Sequence, residues 1–164
     1  MGILSPEQRR STHVRKCVDG FVIALFLIFL FALPVRAASP FDGLAGSWSG
    51  GGSISTGENR ERISCRATYR VAGTSVEMSL RCASASYNIN ASGSMRASGN
   101  SISGEFSESS YGVSGTLSGR ASGGNISARI SGGFSATLSV NTSGRSQSIS
   151  LISENARVSI GLRR

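Results

Sequence analysis

The chain has 164 residues, with 17 basic against 9 acidic side chains and a formal net charge of +8. Its single histidine, His13, and its single lysine, Lys16, both precede residue 17. The remainder has no imidazole for general-base work or for a Ser or Cys triad, and no amine for a Schiff base. An enzyme built there would have to use carboxylates, Tyr or Arg; a His- or Cys-based zinc or haem site, or any other cofactor, is not expected.

In chain order, Met1 to Lys16 is polar and basic, with Arg9, Arg10, Arg15 and Lys16. Phe21 to Leu33 is an unbroken apolar run, FVIALFLIFLFAL. Pro34 follows, and Val35-Arg36-Ala37 puts a branched and a small residue at the positions that precede signal cleavage. That order predicts a signal peptide over 1–37, cut after Ala37. The 13-residue run is short of the ~20 residues of a membrane span. A retained N-terminal anchor is the alternative. Cys17 lies before the apolar run, so it is not the acylated cysteine of a lipoprotein. The expected location is exported, periplasmic or secreted, with membrane contact only through the signal peptide before cleavage.

Residues 38–43 read as a short linker and 44–164 as one domain. Beyond Ala37 the chain holds 12 arginines against seven acids, a net of about +5. Two cysteines remain, Cys65 and Cys82. In an oxidising compartment only one pairing is possible, so a disulfide is expected.

From Leu44 onward, Ser and Gly alternate with apolar residues. Ile63, Cys65, Ala67, Tyr69 and Val71 set the pattern, and Val76, Met78, Leu80 and Cys82 continue it. Similar runs recur to Val158, Ile160 and Leu162. Period two predicts strands with one buried face. With a first strand near 44–55, the count is about ten. Short connections predict consecutive antiparallel hairpins.

A turn at Gly73-Thr74 sets Val71 opposite Val76, Tyr69 opposite Met78, and Cys65 opposite Cys82. The same logic predicts Gly93 opposite Gly104, Met95 opposite Ile102, and, with a turn at Ser109-Ser110, Phe106 opposite Val113 and Gly104 opposite Gly115. Further on it predicts Ile130 opposite Phe134, Ala128 opposite Ala136, Leu138 opposite Leu151, and Leu151 opposite Val158. These pairings stack a bulky inner layer on a small one that contains Gly93, Gly104 and Gly115. A meander this long curls, and closure removes its edges. The expected fold is all-β, a closed or nearly closed antiparallel meander barrel; a β-sandwich or a β-solenoid is the alternative. The outward positions are Ser, Thr, Arg and Asn, which argues against a membrane barrel, whose outer face must be apolar.

The first strand, Leu44-Ala45-Gly46-Ser47-Trp48-Ser49-Gly50, resembles the Gly-x-Trp opening of lipocalin-like and avidin-like barrels. That resemblance implies that Trp48 closes one barrel end under an Arg from a late strand, here Arg157 or Arg163. No lipocalin helix and no biotin-site pattern accompany it. The whole chain also resembles small exported bacterial β-barrel proteins of uncharacterised function, which implies no activity.

Two candidate sites follow. The first is the barrel interior, where Trp48, Tyr69, Tyr87, Gly93, Gly104, Phe106 and Gly115 would line a pocket for a small apolar ligand, with Tyr111 and Glu108 nearby. The plain alternative is that the bulky side chains fill that space. The second is the outer face of the disulfide hairpin, with Arg62, Arg66, Arg70 and Arg81. Arginines there suit bidentate contact with phosphate or carboxylate on an anionic envelope component; a solvated basic face is the alternative. Nucleic acid is not expected, because no aromatic residues are interleaved for stacking. Glu105 and Glu108 fall on opposite strand faces, so a glycosidase pair is not supported. The expectation is a non-catalytic envelope protein with a binding or structural role. A small-molecule carrier is the alternative, and a carboxylate hydrolase a third.

Overall fold

The computed structural model describes residues 38–164; the expected signal peptide and its cleavage site lie outside the described residues. Ten strands follow one another: β1 (Gly46–Thr56), β2 (Asn59–Ala72), β3 (Ser75–Ala83), β4 (Asn88–Ser98), β5 (Ser101–Glu108), β6 (Val113–Ser122), β7 (Asn125–Gly132), β8 (Ala136–Ser143), β9 (Ser146–Ser153) and β10 (Arg157–Arg163). Each pairs antiparallel with its sequence neighbours, and β10 returns to β1, which closes the barrel. The all-β meander expected from the alternation is therefore the fold.

Closure fixes the geometry. Stepping from partner to partner around the wall from Ala72, by way of Arg96, Arg129 and Arg157, leads back to β2 at Arg60. The ladder has climbed from residue 72 to residue 60, a shear of twelve. With ~3.3 Å per residue and ~4.8 Å between strands, the strands tilt by about 40°.

Turn chemistry sets most registers. Gly57, Gly73, Gly99 and Gly144 each open a two-residue turn with φ between +55° and +59°. Glycine at the first central position is the type II′ signature, whose twist matches that of the flanking strands. The Gly73 turn gives the predicted β2–β3 register, with Cys65 opposite Cys82 and Tyr69 opposite Met78. The two cysteines form a disulfide, with Cα atoms 4.1 Å apart. The β8–β9 and β9–β10 registers also match, with Leu138 opposite Leu151 and Leu151 opposite Val158.

Three expected registers are two residues off. Gly93 faces Phe106, Met95 faces Gly104, and Ala97 faces Ile102, because Gly99 must be the first turn residue rather than the second. Phe106 faces Gly115 and Gly104 faces Leu117, because the β5–β6 turn is four residues rather than two. The Glu108 carboxylate holds that turn, accepting from the N–H groups of Ser110 and Tyr111. Ile130 faces Ala136 rather than Phe134, and Ala128 faces Leu138. Phe134 belongs to the loop and packs edge-on against Phe106 at 5.6 Å. A slip of two keeps every side chain on its own face, so the inward set survives while the layers change. Gly93, Gly104 and Gly115 do not form one layer; each sits beside bulky neighbours instead.

One barrel end is sealed from within. Phe41 and Leu44 have no exposed surface, and Trp48 has 1%. The segment expected as a linker is stitched to the rim: the Ser39 hydroxyl donates to the Gly73 carbonyl at 2.6 Å, and the Gly124 N–H donates to the Pro40 carbonyl at 3.0 Å. The opposite end carries half-buried Tyr87, Ile89, Phe106, Phe134, Leu151 and Val158.

The bridge closes a loop across 17 residues, so its loss should cost about 3 kcal/mol on the chain-entropy estimate. A Cys65→Ser/Cys82→Ser variant is expected to keep its strand signal in far-ultraviolet circular dichroism and to unfold at lower urea by that amount. An unchanged midpoint would show that the ladder alone fixes the hairpin.

Candidate functional site

The interior candidates have separate surroundings. Trp48 is buried by the plug, and its Nε1–H donates to the Leu44 carbonyl at 2.7 Å. The guanidinium on its ring is that of Arg164, 4.8 Å from the centroid, not that of Arg157 or Arg163. The reason is parity. Val158, Ile160 and Leu162 point inward, and Arg164, just past β10, shares their parity and lays its exposed side chain over Trp48 at the barrel end, while Arg157 and Arg163 pair with Ser55 and Ser49 on the exposed face. Arg164 also donates to the carbonyls of Ala45 at 2.6 Å and Gly144 at 3.3 Å, and its own carbonyl accepts from Arg145 Nε at 2.7 Å. The last residue thus bolts β10 to the first strand.

Tyr69 is buried and donates to Gln147 Oε1 at 3.1 Å, while Gln147 Nε2 donates to Thr142. Burial pushes the Tyr69 phenol up to about 12, against a smaller opposing pull from Gln147, so it is a neutral donor. Tyr87 shares a hydrogen bond with Thr56 at 3.0 Å across the β1 rim. Tyr111 is 58% exposed in the β5–β6 turn and does not face the interior. The glycines are close to their neighbours rather than to open space. A Cβ on Gly93 would meet the Glu105 carbonyl at 2.9 Å, and one on Gly115 the Phe106 ring at 2.8 Å.

Glu108 is half-buried at the upper rim. Burial pushes its carboxyl up, but the N–H groups of Asn90, Tyr111 and Ser110 together outweigh that and hold it below the usual carboxylate range. Glu61 is also lowered, chiefly by the Ser86 N–H at 2.9 Å. Both carboxylates brace turns. Among the described residues, no group of three or more His, Cys, Asp or Glu is placed to hold a metal ion.

The arginines meet on the outer wall. Arg66 lies directly opposite Arg81, and Arg70 opposite Glu77, which follows from the register that pairs Cys65 with Cys82. Arg62 stands two outward positions further along β2, past Ser64 and opposite Ser53. Arg66 and Arg81 border an open depression of about 480 Å³, lined also by Ser49, Ser64, Asn88 and Asn90. The ladder runs Arg163, Ser49, Arg66, Arg81, Asn90 across five strands. Along their own strands the two arginines are flanked by Ser64, Thr68, Ser79 and Ala83, none of them a carboxylate. Since Cys65–Cys82 is the closely spaced pair, Arg66–Arg81 is the wider hydrogen-bonded pair, with Cα atoms ~5.5 Å apart. Two guanidiniums there repel each other unless an anion sits between them.

A second depression of about 720 Å³ lies higher on the same wall, with Arg60, Arg157, Ser55, Ile152 and Glu154 in its lining. Arg157 and Arg60 flank Ser55 in one ladder row. Comparison with known proteins finds no matching family model and no match among curated proteins.

Sequence reasoning found the Arg66–Arg81 pair but not its polar frame. Asn88 and Asn90 are read only once the β3–β4 register is known. Arg164 was accessible from the alternation of β10, and Gln147 from being the polar residue in the inward series Gln147, Ile149, Leu151.

Two outcomes test the ends of the barrel. Arg164→Ala should lower stability by about 1–2 kcal/mol and shift the emission of Trp48, the single tryptophan, to longer wavelength. Unchanged stability and emission would show that the guanidinium merely rests on the ring. Glu61 and Glu108 have folded values below the unfolded one, so their contribution is complete above about pH 4.3 and drains away as pH falls through the folded values. Glu108→Gln should flatten that acid loss in thermal unfolding; an acid limb identical to wild type would remove Glu108 from it.

Proposed function

We propose that the chain is an exported, non-catalytic binding protein of the cell envelope, and that it works through the basic wall around Arg66 and Arg81. The single observation that carries this reading is the like-charged pair held face to face in an open depression with no flanking carboxylate. Such a pair is unfavourable by itself. It becomes favourable when a phosphate or carboxylate accepts from both forks. Ser49, Ser64, Asn88 and Asn90 supply neutral donors around it. The disulfide is in keeping with an oxidising compartment, and the signal-type leader would take the protein there. The polar outer wall suits water: among the described residues its only large exposed apolar side chains are Tyr111 and Ile152.

A carrier of a small apolar ligand is the second reading. The half-buried Phe106, Phe134, Leu151 and Val158 at the end opposite Trp48 favour it. It ranks below the first because Phe106 and the methionines take up the room beside the glycines.

The test compares two double variants of equal charge change. Wild-type protein should bind phosphatidylglycerol vesicles or polygalacturonate at low salt. Arg66→Glu/Arg81→Glu should weaken that binding at least about tenfold. Arg96→Glu/Arg129→Glu, whose side chains lie in other ladder rows on β4 and β7, should stay within about threefold. Equal loss in both would mean that net charge alone is felt. Absence of binding to either probe would remove the anion-site reading.

A further inference from the structure

Resting on that reading, we infer that the two depressions form one track along β2 for a linear acidic polysaccharide. Arg60, Arg62 and Arg66 all project outward from β2. From Arg60 to Arg66 the strand advances ~20 Å. Arg81 extends the line onto β3 and Arg157 widens it onto β10, opposite Ser55. Arg70, further down, stands opposite an acid, Glu77, so the run of arginines with no acid directly across the ladder ends above it. Three acids lie near the upper end: Glu58 in the β1–β2 turn, Glu154 in the upper depression, and Glu61, which points to the other face of β2 and accepts from the Ser86 N–H.

On β1 and β10 the ground between the two depressions is bare. Gly51 on β1 pairs with Gly161 on β10 and with Ser64 on β2. A Cβ on Gly161 would meet nothing nearer than the Gly51 carbonyl at 4.0 Å, so its outer side is open. A saddle that carries no side chain on β1 and β10, with Ser64 beside it on β2, therefore joins two basic hollows. A single small anion needs only one hollow. A chain with repeated charges can occupy both and cross the saddle between them.

The chemistry of the polar groups favours one kind of polymer. Between the arginines stand Ser49, Ser53, Ser55 and Ser64, with Asn88 and Asn90 at the lower hollow. Hydroxyls and amides alternate donor and acceptor roles, as sugar hydroxyls do. The track has no aromatic side chain on which a base could stack, which disfavours single-stranded nucleic acid.

The experiment uses the described chain, residues 38–164, with its disulfide intact, and measures affinity by calorimetry for digalacturonate and for a galacturonate oligomer long enough to reach from Arg81 to Arg60. Linking two hollows should make the long oligomer bind about 100-fold more tightly than the dimer. Gly161→Ile, which adds a branched side chain to the saddle without a strained φ, should erase most of that gain and leave dimer binding within about twofold. Arg60→Ala/Arg157→Ala should do the same, while Arg66→Ala/Arg81→Ala should weaken both ligands. If dimer and oligomer bind alike and Gly161→Ile changes nothing, the track is wrong and the single anion site stands. Stronger binding to phosphatidylglycerol vesicles, or equal binding to a single-stranded oligonucleotide of the same charge, overturns the polysaccharide assignment alone. If no anion binds, the track and the anion site fall together.

Discussion

Closure of the backbone ladder is the constraint on which the rest depends. Ten strands can hydrogen-bond on both sides only if the last pairs with the first, and they do so at a shear of twelve. No edge is left to recruit another chain. The same shear decides which residues share a row on the outer wall. Arg163, Ser49, Arg66, Arg81 and Asn90 are distant in sequence and come into line because the ladder has that slope. The basic hollow is thus a product of register, and the register is a product of turns.

What could be read from the sequence follows from that hierarchy. The inside–outside assignment depends on parity alone, and parity was plain in runs such as Ile63, Cys65, Ala67, Tyr69. Register depends in addition on where each turn begins. Gly73 announced its turn because Val71, Val76 and the cysteines agreed with it. The turn after Glu108 did not, because its length is set by a carboxylate that accepts from Ser110 and Tyr111, a contact that no hydrophobic pattern encodes. The Phe134 loop is similar: its aromatic residue continues the alternation of β8 but leaves the ladder to meet Phe106. Phe41 escaped notice because it precedes the first strand and has no periodic neighbour.

The glycines show how a local reading can be right about residue type and wrong about purpose. A stack of Gly93, Gly104 and Gly115 would leave room for a guest. The true register sets Gly93 and Gly115 against Phe106, and Gly104 between Met95 and Leu117. Large and small residues then alternate around the barrel, which is how side chains fill such an interior. With one end sealed by Phe41, Leu44 and Trp48, the interior is chiefly a core. The wall, by contrast, carries the charged side chains.

On the wall, the disulfide and the arginine pair belong to one argument. Arg66 and Arg81 are the immediate neighbours of Cys65 and Cys82 on the same two strands. Repulsion between the guanidiniums would favour splaying or slipping this hairpin, and a slip of one residue would also turn its buried face outward. The covalent link forbids both. It holds two like charges opposite each other, and the water-exposed wall screens them without removing their demand for an anion. A chain that uses arginine and no lysine here also gains fixed forks, so that each cation can donate two hydrogen bonds to one carboxylate or phosphate edge. The bridge therefore stabilises the fold where the proposed anion site would otherwise loosen it, and the Gly51–Gly161 pair beside it lies between that hollow and the second one.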